Sequence, residues 1–256
     1  MSNSKINIDI IMPNYNKGIF IDKAIKSVIS QSFKNWRLFI VDDNSSDNSK
    51  EIILKYKKNK RIKIFFLKKN KGPSYCRNFA IKKSKARYIA FLDSDDYWTK
   101  EKLSSQLDFM IKNEFNFTFT DYIPILDYVD YKKKLKSTKI ITKFTFEEFV
   151  NNSSINTSTM ILERKFINKI KFRNLKLMED FIFKCELMKK TNISFIKFPK
   201  ATAIYRIIQK SRSSKKFSNL INLWRINRKY NKLNFLNNLF SLISISFNSI
   251  KKYGLK

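Results

Sequence analysis

Over its first 120 residues the chain alternates short apolar runs with helical periodicity, and this alternation restricts the fold more than any other feature. Residues 8–12 form an apolar run that Pro13 is expected to end. Phe20, Ile21, Ala24, Ile25, Val28 and Ile29 then recur at helical spacing. Residues 37–41 read as a second buried strand, 47–57 as a second helix and 62–67 as a third strand. Pro73, behind the turn Asn70-Lys71-Gly72, suits the first turn of a third helix. Residues 88–92 are a fourth strand, and a helix is expected from near Thr99. This order predicts an α/β fold with a mostly parallel central sheet, helices on both faces and right-handed crossovers. Phe115, Phe117 and Phe119 alternate with polar residues, which predicts a strand with one buried and one polar face. Residues 121–212 mix short strands and helices without a repeat, 132–136 read as a loop, and from Phe217 onward the pattern is helical.

Two acidic clusters fall at the ends of predicted strands: Asp42-Asp43 and Asp93-Ser94-Asp95-Asp96. Ligands of open α/β sheets bind beyond the carboxyl ends of the strands, near the topological switch point. Carboxylates gathered there repel one another unless a cation joins them, and hard oxygen ligands suit Mg²⁺ or Mn²⁺. Either cluster alone reads as a turn and helix cap; two at matching addresses point to a site. Composition narrows the chemistry. The chain has no histidine, which removes Ser-His-Asp triads, Cys-His dyads and HExxH zinc sites. Its three glycines, Gly18, Gly72 and Gly254, supply neither GxGxxG nor a Walker A loop. Cys76 and Cys185 are solitary, which suits a reducing compartment. Acid–base work falls to carboxylates, Lys, Tyr or Cys.

Ile10-Ile11-Met12-Pro13-Asn14-Tyr15-Asn16-Lys17, then Ser30-Gln31-Ser32-Phe33-Lys34-Asn35-Trp36 and Phe39-Ile40-Val41-Asp42-Asp43-Asn44-Ser45-Ser46-Asp47, resemble the opening of family 2 glycosyltransferases. Asn70-Lys71-Gly72-Pro73-Ser74-Tyr75-Cys76-Arg77-Asn78 and Tyr88-Ile89-Ala90-Phe91-Leu92-Asp93-Ser94-Asp95-Asp96 continue the match in order. The resemblance is dense over residues 6–100 and looser over 100–212. It implies a GT-A fold over 1–212, with a nucleotide-sugar and metal half at about 1–121 and an acceptor half at 122–212. It also implies transfer of a sugar, with inversion, from a nucleotide-activated donor that is UDP-linked by family habit. On the donor side it implies Pro13, Tyr15, Asn16, Asp43, Arg77, Asp93 and Ser94. Asp93-x-Asp95 resembles the DxD motif, so Asp95 with Asp93 would hold the divalent cation, Mn²⁺ or Mg²⁺.

Met178-Glu179-Asp180-Phe181, ahead of a helix bearing Phe183, Leu187 and Met188, is similar to the family's acceptor-side Glu-Asp motif. Asp180 is then the expected catalytic base, with Asp121 the next candidate; as bare residues, Glu179 and Asp180 would equally suit a helix N-terminus. A partly enclosed Asp180 is expected to have a raised pKa, useful to a base near neutrality. Asn156-Thr157-Ser158-Thr159-Met160 resembles a polar segment of the acceptor side, which places Thr157 and Ser158 there with Glu179. Tyr205-Arg206 and Ser211-Arg212-Ser213 resemble the closing segment, with Arg206 or Arg212 over the phosphates. Where many relatives carry a histidine between those pieces, this chain has Ile207-Ile208-Gln209.

The implied function is an inverting, metal-dependent glycosyltransferase. Its partners would be a nucleotide-sugar donor and a glycan or lipid-linked saccharide acceptor in lipopolysaccharide or capsule biosynthesis. A nucleotidyltransferase or nucleotide-sugar hydrolase on the same fold is the alternative. The formal charge of +32 raises a third reading, a nucleic-acid-binding protein. Yet 43 of the 53 basic residues are lysine, whereas the planar fork of arginine better matches phosphates and base edges. Acidic strand ends would also repel phosphates, so no nucleic-acid partner is expected. Richness in Lys, Asn, Ile and Phe together fits the drift of an AT-rich coding sequence.

Residues 213–256 read as a basic amphipathic helical tail. Leu220, Ile221 and Trp224, then Leu233, Leu236, Phe240, Ile243, Phe247 and Ile250, lie at helical spacing, and no acidic residue occurs from Lys215 onward. These stripes would either pack on the catalytic domain or lie on anionic lipid, where each nearby cation contributes about 1 kcal/mol. With no signal peptide and no apolar run of about 18–20 residues, the expected location is cytoplasmic and peripheral at the inner membrane face.

Overall fold

The computed structural model describes residues 7–126, 143–152, 155–167, 170–208 and 216–253. Arg212, the expected loop at 132–136 and Gly254 lie outside the described residues.

The first half runs β1 (Ile8–Asn14), α1 (Gly18–Ile29), β2 (Trp36–Asp42), α2 (Ser49–Leu54), β3 (Ile62–Phe66), α3 (Pro73–Lys83) and β4 (Tyr88–Phe91). These four strands are parallel in the order β3-β2-β1-β4. The chain therefore builds outward from β1 to β3 and returns across β1 to β4, which puts the switch point between β1 and β4. Contrary to expectation, Pro13 does not end β1: it pairs with Val41, and Asn14 pairs with Asp42. The Ile11 carbonyl accepts from Leu92 on the β4 side, so Pro13, two residues on, faces that side too. Pairing with β4 has stopped at Phe91, so the missing Pro13 N–H interrupts no ladder.

The second half runs β5 (Tyr97–Trp98), α4 (Lys102–Lys112), β6 (Phe117–Leu126), β7 (Lys143–Phe144), α5 (Phe146–Asn152), β8 (Ile161–Glu163), α6 (Glu179–Thr191), β9 (Phe195–Ile207), α7 (Lys216–Ile226) and α8 (Phe235–Tyr253). Among the described residues the sheet continues β4-β8-β6-β9-β5, with β7 on β9, and β8 runs antiparallel to both β4 and β6. The result is a mixed sheet with helices on both faces. Two expectations need correction. The helix expected near Thr99 starts at Lys102, because Tyr97 and Trp98 first form a short strand on β9. And β6 has no polar, solvated face: Thr118 and Thr120 are buried along with Phe117 and Phe119. Gln106 of α4 covers that side and donates to Thr118 Oγ1 at 3.0 Å.

The strands divide their side chains between two apolar clusters, one on each face. Ile8, Ile10 and Met12 join Leu38 and Leu103 on one, while Ile11 joins Phe39, Phe91 and Phe183 on the other. Leu223 and Ile226 of α7 belong to the second cluster, so the C-terminal helices begin inside the core. A π-helical turn, Asn227–Asn231, then redirects the chain into α8.

Candidate functional site

A cleft of about 1600 Å³ opens over the carboxyl ends of β1, β2 and β4. The two acids that end β2 do different work. Asp42 turns inward: Oδ2 accepts from Asn14 Nδ2 (2.7 Å) and Ser45 Oγ (2.6 Å), and Oδ1 from the Ser45 amide (3.0 Å). Asp43 accepts from the Lys71 and Gly72 amides, both at 2.7 Å, and so fixes the loop ahead of α3. Gly72 sits there at φ +85°, a conformation that disfavours a Cβ. Burial, and then Asp43, push the neighbouring Cys76 thiol far up, while burial pushes Cys185 up to about 12. Neither is a thiolate nucleophile.

At the end of β4, Asp93 Oδ1 meets Arg77 Nη2 at 2.7 Å and Asp95 Oδ2 meets Lys17 Nζ at 2.7 Å. Asp96 points into the protein, accepting from Ser158 Oγ (2.5 Å) and from the Arg206 amide (3.0 Å). Burial, then the neighbouring Asp95 and Asp93, raise its pKa well above the usual range. Arg206 Nε donates to the Asp95 carbonyl at 3.2 Å, and its guanidinium lies 4.5 Å over the Phe20 ring.

Arg77 joins the two halves of the cleft. It is 5% exposed, rests 5.2 Å over Phe172 and lies 3.6 Å from Glu179 Oε1 through Nη1. Burial opposes its charge, but Asp93 and Glu179 more than compensate, and its pKa is raised. Its Nε and Nη1 are buried and carry no hydrogen bond, although the residue lines the cleft.

Asp180 lies in the first turn of α6. Its Oδ2 accepts from Lys184 Nζ (2.7 Å) and Thr157 Oγ1 (3.1 Å), and its side chain is 38% exposed. The expectation of a raised pKa is wrong. Burial does push it up, but Lys184 and then Arg77 outweigh that and hold the carboxyl below the usual range. Lys184 is itself buried and also donates to the Ile155 carbonyl at 2.7 Å.

Every residue expected on the donor and metal side lines this cleft, as do Thr157, Glu179, Asp180 and Arg206. Ser158 lies behind the wall: its hydroxyl binds Asp96 and accepts from the Asp93 amide, and its carbonyl accepts from Trp98 Nε1. Asp121, the second candidate base, pairs with Lys197 at 2.8 Å and does not line the cleft. Sequence reasoning gave no role to Lys17 or Lys184. Lys184 had a visible signal, since Asp and Lys four apart share a helix face.

The donor set fits a cation of limited protein coordination. No cluster of three or more His, Cys, Asp or Glu with metal-holding geometry exists among the described residues. Asp93 and Asp95 each place one oxygen on a cation of the protein, while Asp96 is turned away. Mg²⁺ and Mn²⁺ commonly bind through one or two carboxylates and are completed by substrate phosphates and water, and Asp93 with Asp95 suits that arrangement.

A mixed sheet with an acid-lined cleft at its switch point is the GT-A architecture. The model of "Glycosyl transferase family 2" matches residues 9–171. The teichuronic acid biosynthesis glycosyltransferase TuaG of Bacillus subtilis, a putative assignment, is 31% identical over 98% of this chain and 99% of its own. The Escherichia coli UDP-Glc:alpha-D-GlcNAc-diphosphoundecaprenol beta-1,3-glucosyltransferase WfgD is 35% identical over 86% of this chain and 84% of its own. Staphylococcus aureus TarS 1–349 in complex with UDP-GlcNAc superposes with a TM-score of 0.71 at 21% identity, over 96% of this chain and 73% of that one. The mannosyltransferase PcManGT of Pyrobaculum calidifontis, in complex with GDP-Man and Mn²⁺, gives 0.69 at 11% identity, over 99% and 77%. The chain belongs to glycosyltransferase family 2 and is a glycosyltransferase.

Proposed function

We propose that this enzyme moves a sugar, with inversion, from a UDP-sugar to a lipid-linked saccharide during cell-surface polysaccharide assembly, with Mn²⁺ or Mg²⁺ as cofactor. The observation that carries the reading is Arg77, which ties Asp93 at the end of β4 to Glu179 at the start of α6. Through it the donor-side acids and Asp180 face one cleft. The donor and acceptor classes follow WfgD, whose name specifies UDP-Glc and GlcNAc-diphosphoundecaprenol.

In this mechanism Pro13, Tyr15, Asn16 and Asp43 take the nucleoside, with Asp93 and Ser94 beside the ribose. Arg77, which lines the cleft beside Asp93, adds positive charge at the diphosphate end, and Arg206 flanks the same end. Asp95 and Asp93 would hold the divalent cation, which when bound would supply charge neutralisation for the diphosphate. Lys17 steadies Asp95 and adds positive charge beside it. Asp180, kept ionised by Lys184, takes the proton of the acceptor hydroxyl. The acceptor oxygen bonds to the anomeric carbon as the bond to the diphosphate oxygen breaks, and UDP leaves with that electron pair. Thr157 and Glu179 border the acceptor.

The test is UDP release from UDP-sugars with and without a GlcNAc-diphospholipid acceptor. Release should rise at least ~10-fold when acceptor is present; equal rates would make the enzyme a hydrolase, and release of sugar 1-phosphate in place of UDP a nucleotidyltransferase. A second expected result concerns Asp43→Ala. UDP affinity should fall about tenfold, or about 1.4 kcal/mol, by calorimetric titration. Loss of two charge-assisted bonds, each roughly 1.5–3 kcal/mol, should also lower the denaturation midpoint. Unchanged UDP affinity would remove Asp43 from the nucleoside site.

A further inference from the structure

We infer that α8 is a membrane-surface helix whose outward face lies at the headgroup–acyl boundary of an anionic bilayer. The helix differs from an ordinary surface helix in carrying apolar side chains on both faces. Its inward face is mixed: Leu242 and Ile245 pack against the core, while Asn238 and Ser241 are fully buried and donate to the Trp224 carbonyl (3.1 Å) and the Val150 carbonyl (2.6 Å). Asn227 of the preceding turn also donates to Ser241 Oγ at 3.1 Å. Its outward face is apolar: Leu236, Phe240, Ile243, Phe247 and Ile250 are 73%, 59%, 59%, 66% and 44% exposed. Their spacing sets them on one stripe of a helix 19 residues long. A contiguous exposed stripe of this kind marks an interaction surface.

Charge selects the occupant. No acidic residue follows Glu186 in the sequence, and the exposed Arg225, Arg228, Lys229 and Lys232 cluster ahead of the stripe, with Lys251 and Lys252 behind it. A second copy packed stripe to stripe would set these cations against one another in either orientation, with no carboxylate on α7 or α8 to pair them. The 4-3-4-3 spacing also spans only about two heptads, short of the three to four that sustain a coiled coil. Anionic headgroups match the cations, and the amphipathic stripe matches the acyl boundary. Among the described residues no helix is long and apolar enough to cross a membrane, so α8 lies on the surface. This inference goes beyond the proposed transfer and does not depend on which acceptor is used.

The test is flotation of the full chain with vesicles of phosphatidylcholine alone or mixed with phosphatidylglycerol, at low and high salt. Wild type should float with anionic vesicles, far less with neutral ones, and be released by salt. Phe240→Ser/Phe247→Ser should cut partitioning about tenfold or more, with thermal unfolding and UDP affinity unchanged. Lys229→Glu/Lys232→Glu should weaken binding on anionic vesicles alone. Equal flotation of the serine variant, or none by wild type, overturns the inference. So does a dimer in light scattering that the serine variant dissociates while vesicle binding persists. If the serine variant unfolds, the neutral, anionic and high-salt arms of wild type, with the charge-reversed variant, still decide. Acceptor-dependent UDP release is read without vesicles, so the two readings fail separately.

Discussion

Asp95→Ala should abolish transfer and remove Mn²⁺-dependent nucleotide binding, while the chain keeps its fold. Its side chain is only 22% exposed, yet among the described residues the carboxylate contacts Lys17 alone. Such a partly solvated pair contributes roughly 0–1 kcal/mol, so thermal unfolding should barely move. The catalytic loss should be far larger, at least ~10³-fold in kcat, because charge neutralisation on the leaving diphosphate would go with it. The variant also releases Lys17 beside the phosphates, so metal-free UDP affinity could hold or even rise. The diagnostic quantity is therefore the difference in UDP affinity with Mn²⁺ and with chelator, which should vanish. Asp93→Ala should reduce transfer less severely but cost more stability, since it leaves Arg77 buried with Glu179 as its remaining close carboxylate. Wild-type turnover by both variants under strict chelation would show that no metal acts here.

The address of this site was legible because a parallel sheet announces itself. Buried runs such as residues 37–41 and 88–92 each stop at acids, and the order of the strands places the switch point between β1 and β4. The division of labour among the acids was not legible. Asp42 and Asp43 are neighbours in sequence, but one ties Asn14 and Ser45 and the other holds amides nearly 30 residues away. Ser158 reads as a residue of the acceptor wall, yet it is drawn behind that wall by Asp96, 62 residues earlier. Contacts at such separation leave no local pattern. Short strands escaped for a related reason: β5 and β8 offer two and three residues, too few for a period to show. The α8 stripe was visible as a stripe, but periodicity states only that two faces differ. The face that meets the core carries Leu242 and Ile245 with Asn238 and Ser241, whose side chains find backbone carbonyls, and this leaves the longer apolar stripe outside.

Asp180→Asn should lower kcat at least ~10²-fold while donor binding is retained. The substitution is nearly isosteric, and an amide oxygen can still accept from Lys184 and Thr157, so the α6 terminus should hold its place. What is lost is the ability to take the acceptor's proton. The structure adds a pH signature. Lys184, with Arg77 behind it, depresses the folded pKa of Asp180 despite burial. The base is then ionised throughout an ordinary assay range, and its pairing stabilises the fold above the unfolded carboxyl value of about 3.9. That contribution is lost only as pH falls through the depressed folded value. Wild-type kcat should show no acid limb from Asp180 between about pH 8 and pH 5. In Lys184→Met, burial acts with one cation fewer, so the pKa rises and an acid limb should move toward the assay range, with kcat retained on the alkaline side. A purely structural Lys184 would lower kcat evenly across pH instead. Glu179→Gln should be milder than Asp180→Asn, because Glu179 faces Arg77 at 3.6 Å and serves to position it. Full activity in Asp180→Asn would move the base to Glu179, the other carboxylate on that wall, and not to Asp121, which Lys197 holds outside the cleft.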